Sequence, residues 1–96
     1  MRLRRIARIA GLELEAQETE GRAALVTEDG QAVAFAWLDL IAFPLPAAAL
    51  EGLTGAEPGP HRGWTAVSAW QPELPAGEGL TRLADALRRA YARVVT

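Results

Sequence analysis

The chain contains no lysine, no cysteine and no asparagine, and it has one histidine, His61, and one serine, Ser68. Each absence removes a chemistry. Without lysine there is no Schiff-base amine, and without cysteine there is no thiol nucleophile, thiolate metal site or disulfide. A serine nucleophile with a histidine base admits a single pair, Ser68 with His61. His61 makes a poor metal site without a second His or Cys. Glu57 stands four residues before it, but Pro58 and Pro60 forbid the helical turn that would bring the two together. Gly77-Glu78-Gly79 lacks the lysine of a phosphate loop and has Arg82 where a dinucleotide fingerprint needs a further glycine. The expectation is a protein with no catalytic constellation, no metal and no cofactor.

Long apolar runs are missing too, since charges or Pro/Gly clusters interrupt every stretch well short of the roughly 18 residues of a membrane span. The start, Met1 to Ala10, is basic like a signal peptide. Arg8 cuts its apolar part short and Glu13 and Glu15 follow, so the segment reads as part of the mature protein. A chain with no disulfide framework suits a reducing compartment. A cytoplasmic location and no membrane partner are expected.

What remains is a globular composition: 96 residues, 50% hydrophobic and 23% charged, with a formal net charge of −2. A chain of this size makes one domain with one thin core. All ten basic residues are arginines beside abundant alanine, leucine, glycine and proline, a bias that points to a GC-rich bacterial genome. The scarcity of thermolabile residues also suits a thermophile.

Apolar residues at three- and four-residue steps (Leu80, Leu83, Ala84, Leu87, Tyr91, Val94) predict a helix over 79–95, with Thr81 as its cap and Glu78–Arg82 and Asp85–Arg89 as supporting pairs. Upstream the period is two. Leu12, Leu14 and Ala16 alternate with acids and glutamine, Arg22 to Glu28 reads as a second strand, and Asp29-Gly30 signals a hairpin. The run 31–43 is apolar on both parities, bulky Val33, Phe35 and Trp37 on one and Ala32, Ala34 and Ala36 on the other, which suits a central strand. The segment 44–63 is a Pro/Gly-rich loop with one short helical turn at 47–51, and 64–71 is another strand. Residues 2–10 suit either a helix or a strand, and a long first strand with a bulge at Gly11 gives the simpler meander. The fold expected is therefore α+β, a three- or four-stranded antiparallel sheet with one C-terminal helix on one face.

Charge falls in blocks: +4 over residues 2–8, −5 over 13–29 and +3 over the last helix. Guanidinium forks suit phosphate, and Trp64 and Trp70 share a strand parity just after Arg62. Arg2, Arg4, Arg5, Arg8, Arg62, Trp64 and Trp70 are thus the candidate contacts for a nucleic acid or another partner. The leading expectation rests on packing instead. One helix covers one sheet face, so an apolar second face is left for a second copy of the chain or another protein. A non-catalytic, self-associating interaction module is the first reading, and a nucleic-acid-binding protein the second.

Overall fold

The computed structural model describes residues 2–19, 22–53, 55–59, 61–69, 71 and 77–95, with the side chains of Arg2 and Thr19 outside the description. Helix α1 (Arg2–Ala10) is followed by strands β1 (Glu15–Thr19), β2 (Arg22–Val26), β3 (Ala32–Trp37) and β4 (Leu40–Phe43). A 3-10 turn at Ala47–Leu50 and a two-residue strand β5 (Glu57–Pro58) lead to β6 (Thr65–Ser68) and helix α2 (Glu78–Val95). The strands form one antiparallel sheet in the order β1-β2-β3-β4-β6-β5. Both helices pack on the same face, over a core that joins Leu3, Ile6, Leu83 and Leu87 to Leu25, Ile41, Phe43 and Val67. Each of these side chains, buried to 1% exposure or less, contributes about 1.5 to 3 kcal/mol.

The α+β class and the docked C-terminal helix match the sequence reading, but three elements do not. Residues 2–10 form a helix and not a strand. A two-residue period would place arginine on both faces, Arg4 with Arg8 on one and Arg5 on the other, whereas the helix buries Leu3, Ile6, Ala7 and Ala10 together and leaves Arg4, Arg5 and Arg8 outside. Gly11 is its stop signal, not a bulge. At φ +74° it donates to the Arg8 carbonyl at 3.1 Å while Leu12 donates to that of Ala7 at 3.0 Å, the paired bonds of a Schellman ending. The sheet accordingly has two helices on it and not one.

The sheet also has six strands where three or four were expected. The run 31–43 is not one strand, because the chain reverses at Leu38-Asp39 and pairs Trp37 with Leu40. Glu57-Pro58 adds a short edge beside β6 within what read as loop. The hairpin forms at Asp29-Gly30, but its loop has three residues, 28–30, and not two: the Thr27 amide donates to the Gln31 carbonyl at 2.8 Å, Gly30 stands at φ +87°, and Thr27 Oγ1 donates to Asp29 and accepts from the Gln31 amide. Thr81 does not cap α2; its hydroxyl donates back to the Gly77 carbonyl at 3.0 Å. The two expected ion pairs on α2 are present, at 2.8 Å for Arg82–Glu78 and 3.4 Å for Arg89–Asp85. Pro46 precedes the 3-10 turn and Gly52, at φ +94°, lies just beyond it.

Candidate functional site

Strand pairing decides which residues share each face, because directly opposed residues point the same way. Toward the helices lie Ala16, Leu25 and Ala34 on one rung, and Ala23, Ala36, Ile41 and Val67 on the next. A register shift beside Leu25 and Val26 turns Val33 into the core next to Ala34, so Val33 parts company with Phe35 and Trp37. Small side chains under α2 let it approach β3 closely. The two rings of that strand, Phe35 and Trp37, point the other way, to the face on which no described helix lies.

That second face is built of two clear rungs. One runs Gln17, Ala24, Phe35, Ala42, Ala66, Glu57, and its neighbour runs Arg22, Trp37, Leu40, Ser68. Trp64, just before β6, falls on the same side and meets the Phe35 ring at 5.0 Å between centroids. The loop before it is held by Gly59 and Trp64, whose backbones bond at 3.0 Å, and it carries His61 back over the sheet to 5.5 Å from Phe35 and 5.8 Å from Trp64. On the same rung Ala42, the partner of Phe35, and Ala66 beside it are fully buried although no described helix lies on this face. Phe35, Trp37, Leu40 and Trp64 themselves stay half-buried. The face is thus partly roofed by its own aromatic side chains, and it still presents them to solvent. At the end of the second rung the hairpin tip exposes Leu38 at 93%.

The residues singled out in the sequence do not form one site. Arg4, Arg5 and Arg8 lie on the outer surface of α1, in the helix layer, and Trp64 lies across the sheet from them. Arg62 is exposed beside His61 and belongs to the aromatic side. Trp70 lies outside the described residues, as does the side chain of Arg2. Ser68 and His61 are not neighbours in the way a nucleophile and base need to be. His61 gathers at the Trp64 end of β6, while Ser68 ends that strand four residues on, about 13 Å at ordinary strand rise. Among the described residues no three His, Asp or Glu side chains gather closely enough to hold a metal ion, and no helix is long and apolar enough to cross a membrane.

The sequence reading missed two members of the aromatic face, the His61 contact and the outward turn of Trp37 against Leu40. The signal for the second was weak, since Leu38-Asp39 lacks the usual glycine or asparagine of a hairpin. Among the described residues the architecture is two α-helices on one face of a six-stranded antiparallel sheet, with aromatic side chains on the other face. No protein-family model, curated protein or solved structure matches it.

Proposed function

We propose that the protein is a non-catalytic interaction module that associates with a second copy of itself through the sheet face opposite the helices. The observation that carries this reading is the placement of the two rings on β3: Val33, Ala34 and Ala36 face the helices, and Phe35 and Trp37 face away from them. A monomer with no use for that face gains more by burying its largest rings under its helices, at about 1.5 to 3 kcal/mol for a ring such as Phe35. Leu40 and the exposed Leu38 extend the same apolar surface.

Other routes to association are less favourable. The open edge of β1 carries exposed Glu15 and Glu18, so pairing it with a second β1 brings carboxylates together, and the opposite edge is only two residues long and contains Pro58. The face has area for a weak contact. Six strands of two to six residues, about 4.8 Å apart and rising about 3.3 Å per residue, give on the order of 400 Å² per subunit. Two such faces bury on the order of 800 Å², the size of a transient association. The expected dimer therefore forms at micromolar concentration and dissociates on dilution. Sedimentation equilibrium should give twice the 10.3 kDa chain mass at the upper concentrations, and a single chain mass throughout would end the proposal.

A further inference from the structure

The charges in the first turns of the two helices are arranged in opposite senses. On α2 the first turn holds Glu78, the last turn holds Arg93, and Arg82, Arg88 and Arg89 pair with Glu78 or Asp85. That pattern supports a helix, with acid at the positive end of its dipole and base at the negative end. On α1 no acid occurs in the first turn, where Arg4 and Arg5 stand. Arg8 lies one turn further, four residues from Arg4 and three from Arg5, so like charges are stacked along one surface. All three are exposed, and among the described residues no hydrogen bond or ion pair engages their guanidinium groups. The two acids of α2 are already engaged, Glu78 by Arg82 and Asp85 by Arg88 and Arg89. Arg4 and Arg5 oppose the dipole of their own helix, and Arg8, which suits the dipole in the last turn, still stacks its charge on both; three guanidinium groups with no internal partner are explained by an anion outside the protein.

We infer that the outer surface of α1 is a docking site for the phosphate backbone of duplex nucleic acid. Arginine rather than lysine suits phosphate through its bidentate fork. The helix is nine residues long, about 14 Å, which matches about four phosphates of one strand measured along the duplex axis. Its exposed surface offers no aromatic ring on which an unpaired base would stack, since Phe35, Trp37 and Trp64 face the other side of the sheet. A lipid surface is a worse fit, because the apolar side of α1 (Leu3, Ile6, Ala7, Ala10) is spent on the core and only Ile9, 40% exposed, remains for insertion. The contact reads no sequence, and it is independent of the sheet face on which self-association rests.

The test is fluorescence anisotropy with a labelled random-sequence DNA duplex and the full chain. With three phosphates neutralised, affinity should fall about 40-fold between about 50 and about 200 mM salt. Replacing Arg4, Arg5 and Arg8 together by glutamate should abolish binding with the circular dichroism unchanged, since acids at positions 4 and 5 suit the dipole and offset the cost of an acid at position 8 in the last turn. The glutamine triple variant should weaken binding at least tenfold with its circular dichroism unchanged, which covers the case in which the glutamate variant misfolds. No binding by the wild-type chain at the lower salt overturns the inference, and so does undiminished binding by either folded variant. Equal or tighter binding to poly-glutamate or to vesicles of anionic lipid overturns the nucleic-acid assignment. None of these outcomes depends on whether the chain is a monomer or a dimer.

Discussion

Leu38 is the residue whose conformation and exposure both run against its type. Its φ of +52° is left-handed, and its side chain is 93% exposed, so the strain is not offset by packing within the subunit. A left-handed leucine costs about 1 to 2 kcal/mol, and asparagine tolerates that region better. Leu38→Asn should therefore stabilise the fold by roughly 0.5 to 1 kcal/mol in denaturant titration. If the hairpin tip belongs to the dimer contact, the same substitution weakens association. A variant that unfolds later yet dimerises less separates the two roles, and one that is less stable contradicts the strain argument. Gly59 is a different case. Its φ is unremarkable, but an added Cβ would stand 2.8 Å from Trp64 Cβ and 2.9 Å from the Trp64 carbonyl carbon and oxygen. Backbone atoms cannot move aside cheaply, so Gly59→Ala should cost about 1 to 3 kcal/mol and disturb the Trp64 fluorescence.

Among the elements, α1 depends most on a partner. The last four carbonyls of a helix have no acceptor role inside it, and here all four are used: those of Ala7 and Arg8 by the Schellman bonds, those of Ile9 and Ala10 by Arg88, whose NH2 and Nε reach them at 3.1 and 3.0 Å. One guanidinium thus ties the C-terminus of α1 to the middle of α2. Arg88→Ala should destabilise the protein by about 1 to 3 kcal/mol. Arg88→Lys should recover only part of this, because a lysine ammonium lacks the two-pronged geometry. Full rescue by lysine in thermal unfolding would show that charge alone is at work. The helix itself was hard to read in the sequence, since nine residues fit either period, and only the consequence of burying arginine decides between them. By contrast α2 repeats its apolar spacing over 18 residues, and the Asp29-Gly30 turn carries glycine where positive φ is needed, so both are legible. The break between β3 and β4 was not, because Leu38-Asp39 lacks turn chemistry. Nor was β5, since proline argues against strand and its pairing with β6 is a tertiary outcome.

At the scale of the whole molecule, one sheet separates two surfaces of opposite character, arginines over the helices and aromatic rings beneath. Sequence order placed Arg62, Trp64 and the N-terminal arginines on the same short inventory, but only strand pairing shows that α1 and Trp64 lie on opposite sides. Alternation along 31–43 did show that both faces of β3 are apolar; the bulge at Val33, invisible in a single strand, settles which bulky residues point outward. The two faces should therefore answer differently to the same kind of change. Phe43 is fully buried beneath the helices, and Phe43→Ala should cost about 3 to 5 kcal/mol, a large part of the stability of so small a domain. Trp37 is half-buried on the far face, where Arg22 and Leu40 flank it on its rung. Placing a carboxylate there leaves the charge hydrated in the monomer and beside Arg22, but a face-to-face dimer would have to strip its water, at several kcal/mol. Trp37→Glu should consequently sediment as a single chain at concentrations where the wild type is dimeric, with its circular dichroism and thermal midpoint nearly unchanged. Unfolding by Trp37→Glu as severe as that by Phe43→Ala would mean that the aromatic face serves the subunit alone, and the case for a second copy upon it would fall.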